Sequence, residues 1–149
     1  MELALIGIGV INLKEEQAMP MSKEAVRDKM KEKDVMVLDV LPESDYRKLH
    51  IVGSESLPLG LNSNDFVESV EKKYGKDKFF ITYCAGLTCQ AGPQAAMALQ
   101  KKGFKANDYP GGIQEWSESG LPVEGTEAKN EAVAATAVSK LRVLKPIRL

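Results

Sequence analysis

The sequence predicts an α/β domain built on a mostly parallel sheet, and three observations carry that prediction. From about Pro20 onward, strand-like and helix-like segments alternate at short spacing, the pattern of repeated strand–helix–strand crossovers. The most apolar segment, Phe79 to Tyr83, is a short run without polar alternation, as expected of a central strand buried on both faces. A chain of 149 residues with 44% hydrophobic and 28% charged residues supports one well-packed core but not two comfortable domains.

The elements follow in order. "MELALIGIGVINL" is apolar, yet no Lys or Arg precedes it, no small-residue cleavage pattern follows, and it is shorter than the roughly 20 residues of a spanning helix. It reads as a short strand or helix packed on the domain, with an interfacial or targeting role as the alternative. Ser22 is an N-cap for "KEAVRDKMKEK", which sets Ala25, Val26 and Met30 on one helical face. "DVMVLDV" is a buried strand. Pro42 opens a turn or short helix through "ESDYRKL", and "HIVGSESLPLG" is an extended segment bounded by Gly53 and Gly60. "NDFVESVEKKYG" is helical with Gly75 as its stop. The central strand "KFFITYC" leads into the helix "AGPQAAMALQKKG", where Pro93 is tolerated in the first turn. A strand near "FKANDY" and a short helix "GIQEWSESG" complete the alternation. Beyond Pro122 the composition turns Ala- and Val-rich, acidic first and basic last, which predicts a helix over roughly Thr126 to Leu144. This tail is a solvated extension or a docking or homodimer contact. The expected organisation is residues 1–19 as an N-terminal segment, 20–123 as the domain and 124–149 as a C-terminal extension.

Twenty basic against twenty-one acidic residues leave a net charge of -1, so neither a nucleic-acid footprint nor strong membrane attraction is expected. Two cysteines do not make a disulfide framework and point to a reducing compartment, the cytoplasm. They are close together, Cys84 at the end of the central strand and Cys89 in the following loop. In parallel sheets ligands bind beyond the carboxyl ends of the strands, so Cys84 stands where chemistry is expected. Amide N–H groups of a loop entering a helix N-terminus stabilise a thiolate, a persulfide or an oxyanion. Gly86 lets that loop curl, and Ala85 and Ala91 leave room at its rim. The bland alternative is a buried cysteine acting as a small hydrophobe. No metal is expected, because His50 is the only histidine and no further cysteine exists. A Cys84–Cys89 disulfide in this loop would be labile and redox-active.

Five segments in order resemble the rhodanese family of sulfurtransferase domains: "VMVLDVLPESDY", "HIVGSESLPLG", "FFITYC", "AAMALQKKGF" and "YPGGIQEWSESGLPV", together covering roughly Pro20 to Val123. The resemblance implies a rhodanese-like α/β fold, with a five-stranded parallel sheet flanked by helices. It also implies a cysteine that accepts sulfane sulfur as a persulfide and passes it to a nucleophile. Cys84 becomes that nucleophile, and the backbone of Ala85, Gly86, Leu87, Thr88, Cys89 and Gln90 becomes an anion cradle. Asp39, His50, Gly53, Gly111, Gly112 and Trp116 fall on framework positions, with an Asp39–His50 polar pair at the site rim as the alternative. The implied partners are a small-molecule or protein sulfane-sulfur donor and a thiol acceptor; no cofactor is implied.

Three departures matter. Leu41 stands where the family usually has an Arg, Cys89 stands at another usual Arg position, and no arginine lies between Arg47 and Arg142. The loop is also about two residues longer than the common form when the Ala-Ala pair of the next helix is aligned. Losing a guanidinium removes charge-assisted hydrogen bonds worth roughly 1.5–3 kcal/mol, so turnover of the dianion thiosulfate should be weak. Lys101 and Lys48 are the candidate substitute cations, and Gln90 brings no charge. Three functions remain open: a sulfurtransferase, a catalytically weakened binding or regulatory module, and a thiol redox switch using Cys84 and Cys89.

Overall fold

The computed structural model of the chain describes residues 20–128. Its elements run α1 (Lys23–Lys29), β1 (Val35–Asp39), α2 (Glu43–Lys48), β2 (His50–Ile51), β3 (Ser54–Ser56) and α3 (Ser63–Tyr74), then β4 (Phe79–Tyr83), α4 (Ala91–Lys101), β5 (Lys105–Tyr109), α5 (Gly112–Glu118) and β6 (Val123–Glu124). The main sheet is parallel in the order β3-β1-β4-β5. Its apolar run places β4 inside, paired on both sides, with Phe80 to Tyr83 buried.

Among the described residues the main sheet has four strands, not the expected five. Beside β5, among the described residues, an isolated parallel bridge forms, Pro20 to Asp108, fastened by the Met21 amide donating to the Asp108 carbonyl at 2.8 Å. Proline has no N–H to donate, so it is a poor member of a ladder. "HIVGSESLPLG" also differs from one extended segment. Gly53, at φ 91°, turns the chain between β2 and β3. β2 leaves the main sheet to pair antiparallel with β6. The helix expected from Thr126 lies outside the described residues except for its start at 126–128, which is helical.

Strand alternation divides the interior into two layers. Leu38, Phe80, Cys84 and Ala106 face α3 and α4, packing with Phe66, Leu99 and Phe104. Val37, Ile81, Tyr83 and Tyr109 face the other side, packing with Val26 and Trp116. The Ser22 cap matches the sequence, accepting from the Ala25 amide at 3.1 Å, and ahead of α3 an unanticipated cap, Asn62, accepts from the Asn64 and Asp65 amides. Cys84, the first residue after β4, therefore lies at the carboxyl end of an interior strand, on the face covered by α4.

Candidate active site around Cys84

Cys84 is buried, with 3% of its surface exposed. Its Sγ accepts a hydrogen bond from the Gly92 amide at 3.3 Å, in the first turn of α4. Gln90 caps that helix without a side-chain bond, so no side chain of the cap competes for the first-turn amides. The loop between strand and helix alternates in exposure: Ala85, Leu87, Thr88 and Gln90 are exposed, Gly86 is buried and Cys89 is half-buried. A turn bond from the Cys89 amide to the Gly86 carbonyl, 3.0 Å, curls it. Among the described residues, the amides of Gly86, Leu87 and Thr88 donate to no protein acceptor.

The other wall of the loop is α5. Ile113 and Gln114 amides donate to the carbonyls of Cys84 and Ala85 at 3.0 and 2.9 Å, so the start of α5 holds the loop by its backbone. Gly112 has φ 64°, and a Cβ there would overlap the Cys84 carbonyl oxygen. Glycine is required at that position on both counts. Trp116, four residues on, fixes the far end of the helix by donating from Nε1 to the Pro122 carbonyl at 2.9 Å.

Cys84 and Cys89 are joined as a disulfide, with their Cα atoms 6.4 Å apart, inside the range such bonds span. Around Cys89 the surroundings are apolar. Leu41, Cys89 and Ala91 each pack against the α3–α4 core, so the two positions that depart from arginine both contribute to its hydrophobic rim. Among the described residues, the cleft of about 410 Å³ beside the loop is lined by Leu87, Thr88, Gly111, Gln114, Glu115 and Glu118. No lysine or arginine is in that set. Lys101 is at the far end of α4, about 15 Å along the helix from the loop at 1.5 Å per residue, and lines a different cleft with Leu61 and Met97. Lys48 closes α2, where its carbonyl lies against Gly125.

Asp39 and His50 do not hydrogen-bond to each other. Asp39 Oδ1 accepts from the Leu41 amide at 3.0 Å, while Oδ2 is buried without a partner. Burial pushes the Asp39 carboxyl up to about 6, with the Leu41 amide, Tyr83 and His50 offsetting part of that push. His50 Nδ1 bonds to the Tyr46 carbonyl at 2.7 Å, Nε2 is 3.2 Å from Glu124, and its ring stacks on Tyr46. Both residues tie the chain around β2, β3 and β6, a framework role. Ser54 belongs with them: its hydroxyl donates to the Ile51 carbonyl and accepts from the Tyr83 hydroxyl at 2.9 Å.

Sequence reading missed three residues at the site. Thr82 Oγ1 donates to the Gly92 carbonyl at 2.8 Å, anchoring the start of α4 on β4. Gly92 itself is packed so closely that a Cβ would overlap Asp108 Oδ1. Asp108 Oδ1 is buried with no hydrogen-bond partner, and burial raises its carboxyl to about 6. One signal was available: in "FKANDY" strand alternation puts Asp108 on the same face as the buried Ala106.

A family model for the Rhodanese-like domain matches residues 22–119. The chain belongs to the rhodanese-like domain family. Solved structures agree with that membership. The BH2092 protein from Bacillus halodurans is 26% identical with a TM-score of 0.64, covering 80% of this chain and 85% of that one. The rhodanese-like domain of the Alr3790 protein from Anabaena sp. is 25% identical with a TM-score of 0.62, covering 72% of this chain and 80% of that one. A curated relative, the HTH-type transcriptional regulator Rv0324 of Mycobacterium tuberculosis, is 28% identical over 91 residues, which are 61% of this chain and 38% of the regulator. This rhodanese-like domain thus matches well under half the length of that protein. Among its described residues no helix is long and apolar enough to cross a membrane.

Proposed function

We propose that the domain is a sulfurtransferase carrying sulfane sulfur as a persulfide on Cys84. The observation that carries this reading is the placement of Cys84 Sγ: at the carboxyl end of an interior strand, held by the Gly92 amide of the following helix. In this reading the Cys84 thiolate attacks the sulfane sulfur of a donor, the donor's S–S bond breaks, and the rest of the donor leaves with the electron pair. The loop amides of Gly86, Leu87 and Thr88 stabilise charge on the persulfide, while the Cys89 amide of the expected cradle is taken by the Gly86 carbonyl. An acceptor thiolate then attacks the outer sulfur and restores Cys84. With an apolar rim and an adjacent cleft that carries Glu115 and Glu118, the donor best suited is a neutral or thiol-derived persulfide, with thiosulfate turned over weakly. A protein of cytoplasmic setting and a thiol acceptor fit this chemistry.

Incubation of the reduced protein with sulfane-sulfur donors, followed by intact mass and peptide mapping, tests it. A sulfur adduct of one sulfur mass on Cys84, absent in Cys84→Ser, is expected. No adduct with any donor overturns the reading and leaves the weakened binding module.

The joined sulfurs favour a second reading, a thiol redox pair. Cys89 thiolate attacking the inner sulfur of a Cys84 persulfide expels hydrosulfide and forms the bridge, so the two readings share an intermediate. Here Cys89→Ser should let the persulfide accumulate.

A further inference from the structure

Among the described residues, Asp108 puts a buried carboxyl oxygen on the Cys84 side of the sheet, and no step above uses it. β4 and β5 pair Thr82 with Asp108, so both side chains rise on the face that also carries Cys84, beneath the first turn of α4. Gly92 neighbours both groups. Its amide holds Cys84 Sγ at 3.3 Å, and its α-carbon lies against Asp108 Oδ1 so closely that a side chain there would collide. Oδ1 has no hydrogen-bond partner, although a buried polar atom normally has one. The residue as a whole is only half-buried, which leaves it a route to exchange protons with water.

We propose that Asp108 is the proton carrier of the Cys84–Cys89 couple. The inference rests on the second reading above, that the two cysteines form a working thiol pair. In opening, an external thiolate attacks Sγ of the half-buried Cys89. The Cys84–Cys89 bond breaks, a mixed disulfide forms on Cys89, and the electron pair leaves on Cys84 as a thiolate, which takes the Asp108 proton. A second external thiol displaces Cys89, so two thiols supply the two electrons and leave as their own disulfide. Closure is the reverse: Asp108 carboxylate removes the Cys84 proton as its sulfur attacks the mixed disulfide, and the external thiolate departs.

A carrier has to titrate close to the working pH, and burial places Asp108 there, near 6, with only the Tyr109 amide opposing the shift. The surroundings bring no competing charge: β4 offers Thr82 and Cys84, α4 offers Gly92, and no charged side chain shifts the carboxyl. Asp39 supplies an internal comparison. It titrates in the same range but pairs with Tyr83 in the sheet, which puts it on the opposite face, away from Cys84.

The experiment follows bridge closure in the reduced full chain with oxidised glutathione, from pH 5 to 8, by trapping free thiols and weighing the products. Wild type should show an inflection near pH 6 besides that of the thiols. Asp108→Asn should lose that inflection and close at least about tenfold more slowly at pH 7. Asp39→Asn should keep the wild-type profile. Asp108→Asn with an unchanged profile overturns the assignment, as does an equal change in Asp39→Asn. If wild type never closes the bridge, the thiol-pair reading falls and takes the inference with it. Carboxyl NMR of unaltered protein gives an independent check: the Asp108 titration should shift on reduction, when the Cys84 S–H replaces the bridge beside it, and an identical titration in both states overturns the proposal.

Discussion

Cys89 is where this domain departs most consequentially from its family's pattern, because a cation is exchanged for a thiol that packs on an apolar core with Leu41. Restoring the cation should therefore restore anion handling. Cys89→Arg is expected to raise kcat/KM for thiosulfate by about 10- to 150-fold, the equivalent of roughly 1.5–3 kcal/mol of charge-assisted hydrogen bonding, measured by steady-state assay. Asp39 makes a separate prediction at the same scale. Its carboxyl lies at about 6 in the folded protein against an ordinary 3.8, so the native state keeps a proton that the unfolded chain releases. That contribution to stability is complete below pH 4 and lost as pH rises through 6. Urea unfolding should show wild type losing stability between pH 4 and 7, and Asp39→Asn should reduce that slope by about half, Asp108 being raised to the same range and supplying the rest.

The start of α5 shows how an element, rather than a residue, shapes the site. Its first amides hold the carbonyls of Cys84 and Ala85, and Gly112 permits that approach only because it has no Cβ and sits at φ 64°. Gly112→Ala is expected to cost at least about 1–3 kcal/mol through backbone strain alone, and to lower the rate of Cys84 alkylation or sulfur loading more than it lowers secondary structure. Circular dichroism beside thiol-reactivity kinetics separates the two. The elements themselves were largely readable from sequence, since Ser22, Gly75 and the unbroken apolar run at Phe79 to Tyr83 carry local signals that the fold obeys. The β2–β6 pair was not, because two-residue strands have no period to read and depend on a partner 74 residues away, as His50 and Glu124 show. Cys84 was legible from its place after a strand. Asp108 and Gly92 were not recognised, because their meeting depends on the β4–β5 register and the close approach of α4 to the sheet.

At the scale of the whole molecule, the question is whether the bridge holds the fold together or rides on it. The two core layers are built from side chains of every main-sheet strand except β3 and from helices on both faces, and all but Cys84 owe nothing to the bridge. The bridge closes a short loop, with a sequence separation of 5, and loop-closure entropy then gives it about 2 kcal/mol. A domain of this size commonly has several times that in reserve. Reduction should therefore leave the protein folded, with the thermal midpoint lower by roughly 4–12 °C and unfolding still cooperative. Calorimetry of the bridged and reduced forms, with Cys89→Ser as a permanently open form, measures this directly. Global unfolding on reduction would make the bridge a structural staple, and neither sulfur transfer nor redox cycling could then run through Cys84. A folded reduced state is what both chemistries require, because each begins with a free thiolate on Cys84 held by a loop that the Gly112 contact and the Gly92 amide keep in place without help from the bridge.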